Sequence, residues 1–137
     1  MLDRYFIDTN LFLRYLTNDV PEKADRVEAL FQSAERNEIK LVTNALVIAE
    51  IVWTLSSYYK LSKPDVRDRV LGILNLKGLD IPEADLLLQS TIDFADKNVD
   101  FIDAYNQAWA TQQQVNGIYT YDRKHFSRFD GITIFEP

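Results

Sequence analysis

The chain has 137 residues and a formal net charge of −6 at pH 7, from 15 Lys and Arg against 21 Asp and Glu. It has no cysteine and one histidine, which excludes disulfides, thiolate zinc sites, iron–sulfur clusters and any metal centre that needs two imidazoles from one chain. Its 4 glycines fit neither of the glycine-rich motifs that cradle phosphates. With 47% hydrophobic and 26% charged residues, we expect one globular domain over residues 1–137.

No apolar segment reaches the length of a membrane span, because the best candidate, residues 45–49, is followed at once by Glu50. Asp3 and Asp8 lie where a secretory signal would carry basic residues, so we expect a cytoplasmic protein without a membrane segment. The acidic balance argues against coating of nucleic acid by counterion release. Any contact with nucleic acid should therefore be local, at acids whose charge is neutralised by divalent cations.

Short strands are predicted to alternate with helices along the chain. Aromatic and β-branched content predicts strands at residues 4–8, 40–43, 79–81, 117–121 and 132–135. Apolar residues at helical spacing predict helices that begin near Leu11, over 19–36, from Asn44, from Ser62, over 82–97 and over 100–114. This order predicts an α/β fold: a three-layer α/β/α sandwich with a mostly parallel central sheet.

Helix boundaries are predicted from capping residues. The segment Asp19-Val20-Pro21-Glu22 is typical of a capping box with an early proline. Asn44 and Ser62 are predicted to cap the next two helices, and Lys77-Gly78 is predicted to stop the second of these.

Several acidic residues lie at positions typical of a site. Asp8 and Asp122 each end a predicted strand, where parallel sheets bind ligands, although a turn or a helix cap accounts for either one alone. Glu50 interrupts an apolar helix, so we expect a cation or a hydrogen-bond donor to meet it, although a partly exposed glutamate on the solvent side of the helix also accounts for it. Asp100 and Asp103 share one face at a helix start, where cap and first-turn roles also account for them.

Together, Asp8, Glu50, Asp103 and Asp122 are predicted to face one crevice. Two carboxylates about 5 Å apart repel by roughly 3 kcal/mol at an effective dielectric constant of about 20, so such a group needs a cation. Oxygen ligands without thiolates select Mg²⁺ or Mn²⁺. These ions support phosphodiester hydrolysis by activated water, which needs no protein nucleophile.

Four segments resemble the motifs of PIN-domain proteins and, more narrowly, of VapC-type toxin ribonucleases from bacterial toxin–antitoxin pairs. They are Phe6-Ile7-Asp8-Thr9-Asn10, Glu50 followed by Trp53, Asp100-Phe101-Ile102-Asp103-Ala104, and Thr120-Tyr121-Asp122-Arg123-Lys124-His125-Phe126. The first and the last of these segments are the most specific. The resemblance covers nearly the whole chain.

The resemblance implies roles for these residues. Asp8, Glu50 and Asp103 would be the core acids and Asp122 the fourth, binding Mg²⁺ or Mn²⁺ directly or through water. Asn10 would support Asp8, while Asp100 would be a cap or an outer acid. The implied reaction is endonucleolytic hydrolysis of RNA to a 5′-phosphate and a 3′-hydroxyl.

The resemblance also implies a homodimer and a small antitoxin protein that covers a groove near the acids. Residues that could line such a groove, although core packing also accounts for them, are Leu11, Tyr15, Trp53, Tyr58 and Tyr59. Arg123, Lys124 and Arg128 form the best local patch for phosphate, and a solvated loop explains them equally well. His125 is interpreted as incidental, because the metal mechanism does not require an imidazole.

Two other kinds of function remain open from the sequence. A haloacid-dehalogenase-like phosphatase also places an aspartate after its first strand, but it needs a second carboxylate where this chain has Asn10, which cannot titrate. A PIN-fold nuclease of RNA processing, or a module that binds RNA or protein with only a structural metal, is the other alternative.

Overall fold

The computed structural model describes residues 1–137, which form two compact units, Met1–Ala84 and Asp85–Pro137. The first unit contains β1 (Arg4–Phe6), α1 (Thr9–Thr17), α2 (Pro21–Glu35), β2 (Lys40–Val42), α3 (Ala45–Ser57), α4 (Lys63–Leu74) and β3 (Leu79–Asp80). The second contains α6 (Phe101–Gln112), β4 (Ile118–Tyr119), α7 (Arg123–Phe126) and β5 (Ile134–Phe135), and α5 (Ala84–Asp96) begins at its boundary. No helix combines the length and the apolar character that a membrane span requires.

The first unit is built on a three-stranded parallel sheet in the order β1-β2-β3. Tyr5 is in register with Leu41, and Leu41 is in register with Leu79. Beyond the strand ends, Ile7 N donates to Val42 O at 2.9 Å and Thr43 Oγ1 donates to Ile7 O at 2.9 Å. These bonds hold the end of β1, so the backbone that leads into Asp8 has a defined position.

Apolar side chains of the sheet and the helices form the core of the first unit. Helix α1 packs on α2 through Phe12 and Phe31, whose ring centroids are 5.7 Å apart, and Tyr15 meets Phe31 edge-on at 4.9 Å. The large side chains that are fully buried in this unit are Phe12, Leu41, Ile48, Ile51, Leu55, Val66, Val70 and Ile73.

The second unit is built on the parallel pair β4 and β5, with Ile118 in register with Ile134. Its core contains Val99 and Ala104 from the start of α6, together with Phe126 and Phe129 from α7 and the loop after it. The partly buried side chains of Ile118, Ile132 and Ile134 pack against this cluster. The core therefore fixes α7 against the first turn of α6.

The α/β class and the parallel pairing predicted from the sequence are confirmed, and every predicted strand and helix is present. The strands are shorter than predicted, with ladders of two or three residues. They pair as two sheets, one in each unit, where the sequence predicted one central sheet.

The predicted caps have different outcomes. Asn44 Oδ1 accepts from Val47 N at 3.1 Å and Ser62 Oγ accepts from Asp65 N at 3.3 Å, so both are confirmed as N-caps. The capping box at Asp19 is wrong, because Val20 occupies the cap position and makes no side-chain cap bond.

The carboxylate of Asp19 is used elsewhere. Both of its oxygens accept from Arg14 Nη1 at 2.8 Å, and Oδ2 also accepts from Tyr59 Oη at 2.9 Å. The hydrogen bonds from Arg14 and Tyr59 lower the pKa of Asp19 to about 2. Charge-assisted bonds to a guanidinium are stronger than a neutral cap bond, which explains why the side chain turns away from α2.

Helix α4 ends at Leu74 with Asn75 as its C-cap, so the predicted stop at Lys77-Gly78 lies a few residues too late. Gly78 instead forms the approach to β3 with a φ of +89°. A Cβ there would lie 2.6 Å from the carbonyl carbon of Ala34 and 2.9 Å from its Cβ. Both the dihedral angle and the contact with α2 therefore require glycine at this position.

We expect Gly78→Ala to lower the free energy of unfolding by about 1 to 3 kcal/mol, because the left-handed backbone and the contact with Ala34 oppose a side chain. Gly72→Ala is the matched control. Gly72 lies in α4, where a Cβ would have no neighbouring atom within 4 Å, so alanine there should raise stability by roughly 0.5 to 1 kcal/mol. Urea unfolding of both variants measures this, and equal stabilities would contradict the packing described for Gly78.

Candidate metal centre

The first turn of α6 presents two carboxylates. Asp100 is the N-cap residue of this helix, but its side chain makes no capping hydrogen bond. Asp103 follows in the first turn, and its side chain is 21% exposed. Because the two are three residues apart on one helix, both carboxylates lie on the same face.

The end of β4 brings a third carboxylate and an imidazole. Asp122 is the N-cap of α7: its Oδ1 accepts from His125 N at 3.2 Å, and its Oδ2 lies 2.9 Å from His125 Nδ1. The hydroxyl of Thr120 accepts from Asp122 N at 2.9 Å. Phe126 packs in the core and fixes this short helix, so Asp122 and His125 have defined positions.

His125 links the two elements. Its Nδ1 lies 3.8 Å from Asp103 Oδ2 as well as 2.9 Å from Asp122 Oδ2. One ligand atom each from Asp100, Asp103 and His125 lie within 4.8 Å of one another. The second unit thus brings three carboxylates and one imidazole together after the end of β4 and at the start of α6. We name Asp100, Asp103, Asp122 and His125 the acidic cluster.

The side chains of the acidic cluster shift one another's pKa values. Burial raises the pKa of Asp103, and the charges of Asp122 and Asp100 raise it further. Hydrogen bonds from the side chain and the backbone of His125 lower the pKa of Asp122. The protein therefore favours a charged Asp122 and disfavours the charge on Asp103.

The donor set fits a hard divalent cation. Carboxylate oxygens are the preferred ligands of Mg²⁺ and Mn²⁺, and a nearby imidazole is compatible with Mn²⁺. The raised pKa of Asp103 indicates that its negative charge is not fully balanced by the protein. A cation at this position would remove that penalty and favour the ionised carboxylate.

In the first unit, Asp8 is the N-cap of α1, and its Oδ1 accepts from Thr9 N at 2.8 Å. The structural role of Asp8 is therefore shown, and its second oxygen stays available. Asn10 is exposed and lines a groove of about 590 Å³ between α1 and α2.

Glu50 is exposed on α3, whose buried face is formed by Val47, Ile48, Ile51, Val52 and Leu55. Glu50 points away from the side of the helix that packs in the core, so water solvates its charge. Its apolar neighbours therefore do not force it to pair with a cation or a donor, and its role as a metal ligand stays a prediction.

The three predicted phosphate contacts are not equivalent. Arg123 Nε pairs with Glu136 Oε1 at 2.7 Å, and Arg128 donates to the backbone carbonyl of Asn98. Lys124 is exposed and forms no ion pair. Of the three charges, only that of Arg123 is balanced by an ion pair, and their contact with phosphate stays a prediction.

His125 is the residue that the sequence interpretation undervalued. It lies among the acids rather than at an incidental surface position, with a side chain that is 29% exposed. The signal in the sequence was its spacing, because a residue three positions after an N-cap aspartate is the one whose backbone N–H that aspartate accepts.

The chain matches the model of a known protein family. The PIN domain model matches residues 5–132, which includes both units and nearly the whole chain. No curated protein matches the chain. PIN domains are typically nucleases that depend on divalent metal and act on RNA.

We expect Asp103→Asn to raise the melting temperature of the metal-free protein at pH 7 by a few degrees, because it removes a disfavoured charge. The folded state raises this pKa, so the difference from wild type should be constant above the folded pKa and vanish below pH 4. Addition of Mn²⁺ should raise the melting temperature of wild type and have little effect on the variant.

The matched control for this experiment is Asp25→Asn, an exposed aspartate on α2. It should leave the response to Mn²⁺ unchanged. Equal Mn²⁺ responses of wild type and Asp103→Asn would contradict metal binding at the acidic cluster.

Proposed function

The chain belongs to the PIN domain family, and we propose that it is an endoribonuclease that depends on Mg²⁺ or Mn²⁺. The observation that supports this best is the acidic cluster, in which three carboxylates and His125 lie together after the end of β4 and at the start of α6. A divalent ion bound there would supply activated water and stabilise the charge on the leaving oxygen.

Within the acidic cluster we propose Asp103 and Asp122 as metal ligands. The lowered pKa of Asp122 keeps this carboxylate ionised and ready to bind a cation at neutral pH. The His125 imidazole orients it through the 2.9 Å contact at Nδ1. Asp100 adds negative charge on the same face of α6, which favours retention of the cation.

We propose Asp8 and Glu50 as the metal ligands of the first unit, with Asn10 supporting Asp8. The resemblance of their motifs to those of the family supports this assignment. Asp8 has one carboxylate oxygen outside its cap bond, and Glu50 forms no ion pair that would compete for a cation. Lys124, which lies between Asp122 and His125 in the sequence, is the proposed contact to an RNA phosphate.

The finer proposals rest on the resemblance to VapC-type toxins. We propose that the RNA products carry a 5′-phosphate and a 3′-hydroxyl, and that the protein is a cytoplasmic homodimer inhibited by an antitoxin. Large exposed side chains on and after α3 support a partner surface, since Trp53 is 66% and Tyr58 73% exposed. Tyr15 does not contribute to such a surface, because it packs on Phe31.

Purified protein should cleave a mixed pool of small RNAs in Mn²⁺ or Mg²⁺ and not in EDTA. We expect Asp103→Asn and Asp8→Asn each to reduce the cleavage rate by at least about 100-fold, because each removes a ligand charge from the metal. Asp25→Asn is the control and should cleave at the wild-type rate. A 5′-phosphate-dependent exonuclease should degrade the downstream products.

Cleavage at the wild-type rate by both Asp103→Asn and Asp8→Asn would show that the activity does not depend on the proposed metal ligands. Folded wild type that binds Mn²⁺ but cleaves no RNA in the pool would contradict the nuclease assignment and favour a binding module.

The toxin proposal has a separate test in living cells. Induced expression of wild type in a bacterium should arrest growth, and Asp103→Asn expressed to the same level should not, because the variant lacks the ligand that cleavage needs. If cells that express wild type grow as fast as cells that express Asp103→Asn, although the purified wild type cleaves RNA, a role in RNA processing is favoured over a toxin.

A further inference from the structure

A polar pocket in the second unit shares no residue with the acidic cluster. It has a volume of about 600 Å³ and lies between α5, α6 and the loop after α7. The residues that matter for its chemistry are Gln89, Asp93, Lys97, Gln107, Thr111 and Phe129. None of them has a role in the proposed nuclease.

Asp93 is a buried carboxylate in this pocket that no cation of the protein neutralises. It is only 5% exposed, and Oδ1 accepts from Gln89 Nε2 at 3.0 Å. Lys97 lies one helical turn later, but its Nζ is placed over the ring of Phe129, 5.5 Å from the centroid. With one amide donor, this carboxylate keeps acceptor capacity at the pocket wall that a cationic donor of a ligand would use.

Each of the two amide side chains of the pocket uses one of its two N–H donors internally. Gln107 is 9% exposed, and its Nε2 donates to Thr111 Oγ1 at 2.9 Å. Gln89 uses Nε2 on Asp93 in the same way. Both amide oxygens therefore remain as acceptors. Two carboxylates, Asp93 and Asp130, and one ammonium, Lys97, line the pocket, so its charge is negative on balance. It complements a ligand that carries donors and a positive charge.

We infer that this pocket binds a guanidinium group, either of a small molecule or of an arginine side chain in a polypeptide. A guanidinium is planar, carries five N–H donors, pairs with a carboxylate through two of them and is weakly hydrated. The ring of Phe129 attracts the Lys97 ammonium, and a flat guanidinium that displaces this ammonium would stack on the same ring. An ammonium has three donors and a stronger hydration shell, so it matches this acceptor set less well.

The experiment follows the side-chain amide resonances of Gln89 and Gln107 by NMR during titration with methylguanidinium. The protein used is the full chain, and methylurea, the uncharged analogue of the same shape, is titrated in parallel. We expect saturable shifts with methylguanidinium and none with methylurea at the same concentration. Equal responses to the two compounds, or no saturable shift with methylguanidinium, would overturn the inference.

Asp93→Asn keeps the acceptor for Gln89 and removes the charge, so it should weaken methylguanidinium binding at least tenfold. Asp85→Asn, at an exposed position in the first turn of the same helix, is the matched control and should bind as wild type does. If Asp93→Asn fails to fold by circular dichroism, Gln107→Met removes one amide acceptor and should weaken binding as well. Wild-type affinity in the folded variant would overturn the inference.

Two peptides distinguish the sources of the guanidinium. The capped tripeptides Gly-Arg-Gly and Gly-Lys-Gly are titrated in the same way. Tighter binding of the arginine peptide than of methylguanidinium supports a polypeptide ligand, and equal binding supports recognition of the guanidinium alone. Equal binding of the lysine peptide would overturn the choice of guanidinium. Each of these outcomes is independent of RNA cleavage.

Discussion

The repulsion among Asp100, Asp103 and Asp122 is the constraint on which the rest of the second unit depends. The charge of Asp103 is disfavoured by burial and by the other two acids, yet the apolar cluster of Val99, Ala104, Phe126 and Phe129 holds α6 and α7 so that the acids stay together. Core packing in this unit therefore stabilises an arrangement that the electrostatics alone would disperse. Such stored repulsion is typical of sites that bind a cation.

His125 partly offsets this repulsion, and it does so unequally. Its bonds favour the charge on Asp122, while Asp103, 3.8 Å from the same nitrogen, keeps a raised pKa. The surroundings of these two carboxylates thus shift their pKa values in opposite directions. That asymmetry is what acid and metal chemistry at one site needs, because one group stays charged while its neighbour responds to a cation.

Local signals in the sequence were sufficient for the α/β class, the parallel strands and the caps at Asn44 and Ser62. They failed where a side chain had a better partner at long range or in three dimensions. The Asp19 side chain bonds Arg14 and Tyr59 instead of capping α2, and Arg123 forms an ion pair with Glu136 that the local sequence did not predict. The hydrophobic pattern left the burial of Glu50 undecided, since an apolar sequence around a residue does not determine which side of the helix packs.

The ion pair between Arg123 and Glu136 joins the first residue of α7, beside the acidic cluster, to the residue that follows β5. Its consequence is that the positive charge available next to Asp122 depends on a glutamate near the end of the chain. A bound partner that draws Glu136 away would leave Arg123 free beside Lys124 and add one positive charge for an RNA phosphate to contact. The attraction of this surface for a phosphate backbone is in this sense adjustable through Glu136.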